Sequence, residues 1–379
     1  MDFDLNPEQQ QLADAITRWT EKDYDFETRK HIMASEAGVS DTAWQALTEL
    51  GVFALPVPSE HDGFDGTAVD QMAVMQALGR ALVIEPVWAT SMGVEFLKLA
   101  GNQGDLLTHV ASGEMKLACA LGERQSRYEL SDIQTTARKE GNDFILDGIK
   151  TGVLHGAQAN YLILSARSAG ESRELQGISL FVLPADSEGI AIQDVRSNDG
   201  MRIATVHFKN VRVPAAALLG EAGKGWELLD AATDHGIALL CAEALGVMEA
   251  LSHATLDYLK TRQQFGVPIG KFQALQHRMA EMFIHLEQAR SMAMLAAVKM
   301  AASDRTERRR TISAAKARIG EAMKFIGQQA VQLHGGMGVT NELPAAHLFK
   351  RLTAIELTLG DTDHHLARFA AQPGFADAA

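Results

Sequence analysis

TRQQFGVPIGKFQALQHRMAEM, residues 261–282, decides how this chain is organised. Its first half, RQQFGVPIG, sets Gly266, Pro268 and Gly270 close together and breaks a helix. The pattern on both sides is helical. Upstream, GEAGKGW (Gly220–Trp226) is a flexible entry to a long helix expected to run to about Lys260. Downstream, a second long helix is expected over Phe272–Ser303. TERRRTISAAKARIGEAMKFIGQQAVQLHGG holds the next and stops at Gly335-Gly336, where glycine closes a helix readily. A last helix follows Gly360, with Asp361 as its N-cap.

The chain ahead of this region reads as helices, then strands. Asn6 is placed to cap a first helix, with Pro7 in the first turn and Gln9 completing a capping box. Leu12, Ile16 and Trp19 follow at helical spacing. A second helix carries Trp44, Leu47 and Leu50 and ends at Gly51. The turn-rich PVPSEHDGFDG precedes helices in VDQMAVMQALGRAL and SMGVEFLKLAG. From Leu117 the pattern changes to short β-branched segments: Leu117–Leu121, Ile133–Arg138, Phe144–Ile149, Tyr161–Ser165, Ile178–Leu183, Ile190–Val195 and Thr205–Val213. No helical stretch separates them, so the sheet is expected to be mostly antiparallel. The expected fold class is α+β. It comprises an N-terminal helical domain (1–116), a middle antiparallel β-domain (117–219) and a C-terminal four-helix bundle (220–379).

Composition narrows the function. The 379 residues are 46% hydrophobic and 22% charged, with a formal net charge of −13. That suits a folded protein with large cores, and an acidic surface that disfavours nucleic acid. The longest apolar runs fall well short of the ~18 residues of a membrane span. The N-terminal MDFDLNPEQQQL is acidic and polar, unlike a secretory signal. Cys119 and Cys241 stand far apart in apolar contexts, and read as buried thiols in a reducing cytoplasm. Asp361-Thr362-Asp363-His364-His365 offers metal-ligand residue types, but adjacent residues face different ways, so no metal is expected.

Four local motifs carry a resemblance. VPAAALLGEAGKGW (Val213–Trp226), residues 261–282, AVQLHGGMGVT (Ala330–Thr340) and LFKRLTAIELTLGD (Leu348–Asp361) resemble, in this order and near these spacings, the acyl-CoA dehydrogenase family. LTELGVFALPVPSEHDGFDG is similar to that family's first domain, so the resemblance spans essentially the whole chain. It implies removal of two hydrogens from the α and β carbons of an acyl-CoA. A glutamate takes the α-proton and FAD takes the β-hydride. The resemblance also implies an FAD shared across a dimer interface, with the flavin ring on one subunit's β-domain and the pyrophosphate and adenosine on the neighbour's C-terminal helices. The chemistry accounts for these parts. A weakly acidic α-proton needs a positioned, desolvated base, the enolate needs donors at the carbonyl, and a diphosphate needs a cation and backbone N–H groups.

Carried over residue by residue, the resemblance divides. Arg262 matches the arginine that pairs with a neighbour's pyrophosphate; Gln264, Phe265 and Ile269 match its surroundings. Gln332, Gly335 and Gly336 match a QxxGG segment that lies close to the cofactor. Alone, Arg262 is a solvated helix-end arginine and Gly335-Gly336 a helix C-cap; at family spacing they read as FAD contacts. GGMG is no Rossmann fingerprint, since no strand precedes it. The flavin-ring half departs from the family. A hydroxyl-bearing TEPGAGSD-like loop reads LGERQSRYELSD, with Gly122 in place of Thr or Ser. An aromatic-Ile-Thr/Ser motif after Lys150 reads Gly152-Val153-Leu154. The usual glutamate position falls on Leu359, and the minority position on Gly236.

Asp361 and Asp234 are the nearby acids. Each lies two residues from a vacated position, about 200° around a helix. As an N-cap, Asp361 would also be a poor base. The chain thus keeps what it donates to a neighbour's FAD and lacks what its own flavin ring needs. This asymmetry resembles the small subunit of heteromeric acyl-CoA dehydrogenases of steroid side-chain or pimeloyl-CoA-type degradation. It implies an α2β2 assembly with a larger homologous subunit, an acyl-CoA substrate and an electron-transferring flavoprotein as acceptor. A self-sufficient homotetramer with Asp361 or Asp234 as displaced base, or a non-catalytic structural paralogue, are the other readings.

Overall fold

The computed structural model describes residues 5–373. Six helices come first: α1 (Pro7–Asp23), α2 (Phe26–Ala34), α3 (Asp41–Glu49), α4 (Ala68–Arg80), α5 (Val87–Ala100) and α6 (Gly104–Ala111). The expected capping box is present, with Asn6 Oδ1 accepting from Gln9 N and Gln9 Oε1 from Asn6 N, both at 2.9 Å. Sequence reading missed α2 and α6.

Eight strands follow: β1 (Leu117–Ala120), β2 (Thr136–Glu140), β3 (Asp143–Leu154), β4 (Tyr161–Arg167), β5 (Ile178–Pro184), β6 (Ile190–Arg196), β7 (Arg202–Pro214) and β8 (Leu218–Leu219). They form one sheet in the order β6-β7-β3-β2-β4-β5-β8, and β1 pairs with β4. The ladders are antiparallel except for β1–β4 and the single β2–β4 pair, which are parallel. Leu146, Leu162, Leu164, Phe181 and Val206 fill the core of this region.

The chain then becomes helical again, with α7 (Trp226–Thr261), a hairpin of β9 (Gln263–Gln264) and β10 (Val267–Pro268), α8 (Gln273–Lys299), α9 (Arg305–His334), α10 (Pro344–Leu357) and α11 (Thr362–Ala370). By length and composition α7 could cross a membrane, but 83% of its apolar window is buried inside the fold, which marks a core helix. The fold is therefore helical at both ends of the chain with a β-domain between.

The chain separates into two compact units. Among the described residues, one gathers those up to Lys30, Ala68–Val83 and those from Ile237 onward; the other holds His31–Thr67 and Ile84–Gly236. In the first, α8, α10 and α11 each pack on α9. A buried ion pair ties Arg351 of α10 to Glu243 of α7, with Nε–Oε1 at 2.6 Å and Nη2–Oε2 at 2.9 Å. In the second, Trp44 stacks on Phe53 with ring centroids 3.8 Å apart and donates Nε1–H to Gly113 O.

Candidate functional site

The residues expected to meet the adenosine diphosphate gather at one end of the first unit. Arg262 N donates to Tyr258 O and extends the last turn of α7. The hairpin then closes, with Gln264 opposite Val267 and Ile269 N donating to Arg262 O at 2.9 Å. Phe265 and Gly266 both take positive φ at the turn, and Phe265 is 91% exposed, in edge contact with Phe272. Tyr258 stacks on His334 with centroids 4.6 Å apart, which brings the end of α7 to the end of α9. Gln332 and Gly335-Gly336 lie there.

These groups face outward. Arg262, Gln264, Gln332, Gly335 and Gly336 are all exposed, and Ile269 is half-buried. The Arg262 guanidinium and the Gln264 and Gln332 amides have no partner among the described residues. Gly335 turns at φ +60, and a Cβ on either glycine would meet nothing within 4 Å. An uncommitted cation, two amides and bare backbone on one surface suit a diphosphate approached from outside this chain. The adenosine-diphosphate part of FAD therefore fits the residues present.

The flavin-ring loops lie in the second unit. β3 runs through Gly152-Val153-Leu154, with a register shift between Lys150 and Val153. Gly152 sits at φ +69 in that bulge, so an aromatic residue there would be strained. Thr151 N donates to Gly122 O at 2.8 Å, and a Cβ on Gly122 would lie 3.0 Å from Thr151 O. Glycine is what lets the two segments approach so closely.

Beneath these loops lies an ion pair that sequence reading missed. Lys150 Nζ, fully buried, donates to Glu123 Oε1 at 2.7 Å and to Ser165 Oγ at 3.1 Å. Glu123 also accepts from Gln134 N, Thr135 N and Gln125 Nε2. Burial alone would raise the Glu123 carboxyl, but Lys150 and these hydrogen bonds hold it down at about 2. Arg167 donates to Ser131 O, Ser172 O, Glu174 O and Gln176 O, fastening the other end of the loop. The loop that departs from the family's sequence is thus firmly built.

Neither vacated base position has been refilled. Leu359 forms an elbow between α10 and α11 at φ +56, followed by Gly360 at φ +112. It is not helical, so the rotation argument against Asp361 does not apply. Geometry gives a different reason: Asp361 Oδ1 accepts from His364 N at 2.9 Å and caps α11. Lys316 Nζ, buried in α9, donates to Ile355 O, Glu356 O, Thr358 O and Gly360 O at 2.7–3.1 Å. His365 Nε2 donates to Leu359 O at 3.0 Å. Burial lowers Lys316 to about 8 and His365 to about 2, so the His365 ring is neutral.

At Gly236 the space is taken. A Cβ there would lie 2.7 Å from Met92 Sδ, and Trp88 Nε1 donates to Gly236 O at 2.9 Å. Asp234 is fully buried on α7, two residues from Gly236.

Comparison with known proteins identifies the class. Family models of the acyl-CoA dehydrogenase N-terminal domain match residues 6–114, of the middle domain 118–211 and of the C-terminal domain 223–372. The chain is 30% identical over 330 residues to the short-chain specific acyl-CoA dehydrogenase, mitochondrial, of Mus musculus, covering 84% of this chain and 78% of that protein. It is 28% identical over 380 residues to the probable acyl-CoA dehydrogenase YngJ of Bacillus subtilis, covering 96% and 97%. The structure of butyryl-CoA dehydrogenase from Megasphaera elsdenii superposes with a TM-score of 0.88 at 24% identity, covering 98% of this chain and 99% of that one. This chain belongs to the acyl-CoA dehydrogenase family, whose members are FAD-dependent oxidoreductases acting on acyl-CoA.

Proposed function

We propose that this chain is the small, FAD-sharing subunit of a heteromeric acyl-CoA dehydrogenase, assembled as α2β2 with a larger homologous subunit. One contrast supports it. The diphosphate surface is exposed and unpartnered, while both base positions carry no carboxylate and one is filled by Met92. In this reading Arg262, Gln264 and Gln332 hold the pyrophosphate and adenosine of a flavin whose ring lies on the partner. Gly335 and Gly336 let the backbone approach that group, while Phe265 and Ile269 cover it. Bound FAD supplies the acceptor for the β-hydride. The partner supplies the glutamate that removes the α-proton.

Exposed Phe265, Phe283, Ile284 and Val339 supply apolar area for the subunit contact. The proposed substrates are acyl-CoA thioesters of steroid side-chain or dicarboxylate type, and the proposed acceptor is an electron-transferring flavoprotein. Both rest on the family resemblance.

A flavin count tests the assembly. The chain is purified alone and co-expressed with a homologue that carries the glutamate, and bound FAD is read by absorbance. The expected result is a colourless lone chain and a yellow, active complex with one flavin per pair. A yellow, active lone chain overturns the proposal and returns the search for a base to Asp361 and Asp234.

A further inference from the structure

A cavity of roughly 380 Å³ opens among α1, α4, α7 and α8, a size at which proteins hold small organic molecules. It is bordered by Leu245, 17 residues before Arg262 on α7, about 25 Å along the helix at ~1.5 Å per residue. Its apolar lining includes Ala13, Met72, Ala73, Leu245 and Met294. Methionine suits such a wall, because its flexible thioether fits chains of varied shape.

The polar side is organised around Glu249. This buried carboxylate accepts from Gln76 Nε2 at 2.9 Å, from Arg80 Nε at 2.7 Å and from Arg290 Nη1 at 2.6 Å. Arg290 gives its remaining nitrogens to Glu287 at 3.3–3.4 Å. Gln10 Nε2 donates to Asp14 Oδ1 at 2.7 Å. Arg80 is different. Its Nε is fixed on Glu249, while Nη1 and Nη2 have no partner among the described residues, and the side chain is 43% exposed. The result is a guanidinium held at Nε alone, on a residue that lines the cavity.

The free Nη1–Nη2 edge matches a carboxylate, which accepts two parallel N–H bonds from it. Two arginines, Arg80 and Arg290, line the cavity against one carboxylate, Asp14, whose Oδ1 accepts from Gln10. We propose that this cavity binds an amphipathic carboxylic acid of medium chain length. The carboxylate would sit on the Nη1–Nη2 edge of Arg80 and the alkyl chain against Met72, Met294 and Leu245.

Octanoate is the probe, titrated calorimetrically into the full chain, with 1-octanol and octylamine as comparators. The expected result is saturable one-to-one binding of octanoate that exceeds both comparators at least tenfold. Arg80→Gln and the cavity-filling Ala73→Phe should each weaken it at least tenfold. Arg80→Gln perturbs Glu249, so Ala73→Phe and the comparators decide if that variant does not fold. Absence of octanoate binding at millimolar concentration overturns the proposal, as does undiminished binding to Ala73→Phe. Equal binding of either comparator overturns the carboxylate assignment.

Discussion

The hairpin end of the helical unit and the loops of the β-domain differ in how their polar groups are spent. At the hairpin, the side chains of Arg262, Gln264 and Gln332 are exposed and have no partner among the described residues. In the β-domain, Lys150, Glu123 and Arg167 are consumed by the protein itself, on each other and on backbone carbonyls. Polar groups left idle at a surface cost little there and are available to a ligand. Polar groups drawn inside hold the loops shut. A surface kept for something outside and a loop committed to its own fold are the two sides of the proposed division of labour.

Substitutions can break that comparison. The largest expected effect is in the β-domain, where Lys150→Met strands a buried Glu123 and should cost about 3–5 kcal/mol by chemical denaturation. The same pair sets an acid limb. The folded Glu123 carboxyl titrates at about 2, well below an unfolded glutamate. Its contribution is therefore complete above the ordinary carboxylate range and is lost as pH falls toward 2. Glu123→Gln should flatten stability against pH in that window; an unchanged limb would mean that other carboxylates dominate it.

The next effect is at the surface. Arg262→Ala should weaken flavin retention by the co-expressed complex about 10- to 100-fold, through loss of a charge-assisted contact. Because Arg262 is exposed and unpartnered, the melting temperature of the lone chain should not move. Loss of stability with flavin retained would reverse the roles given to the two regions.

Smaller again is Gly236→Ala, which drives a Cβ against Met92 and should cost about 1–3 kcal/mol in thermal or denaturant unfolding. Met92→Ala should cost less in the Gly236→Ala chain than in the parent if steric conflict is the cause, since Met92 is itself buried. Smallest is Asp361→Ala. Loss of the α11 cap should cost about 1 kcal/mol and leave turnover of the complex unchanged. A collapse in turnover would instead make Asp361 the base.

The contrast was partly legible in the sequence. Asn6, Gln9 and Asp361 were readable as caps because a cap is written within three or four residues of its partner. The strand order was not, because β3 pairs with β7 and β2 with β4 rather than each strand with the next; α2 is short with weak periodicity, and α6 is only 8 residues long. Arg262 and Gly335-Gly336 were found from motif spacing. Their outward, uncommitted state is a property of the packed chain. The Lys150–Glu123 pair spans 27 residues, and Lys316 reaches carbonyls 39–44 residues away. Neither leaves a local pattern, and backbone acceptors carry no residue identity at all. Met92 against Gly236 is invisible for the same reason: the sequence displays the missing side chain and says nothing of what fills its place.

The elbow at Leu359 separates the shape of a segment from its chemistry. A leucine at φ +56 is held there by Lys316 and His365, which grip the carbonyls of residues 355, 356 and 358–360. None of those contacts involves the side chain at 359. The path of the backbone is therefore dictated from outside, and that position can change its residue without the segment changing course. Loss of a reactive group there need not disturb folding, so an inactive chain can persist as a well-folded protein while a related chain retains the chemistry.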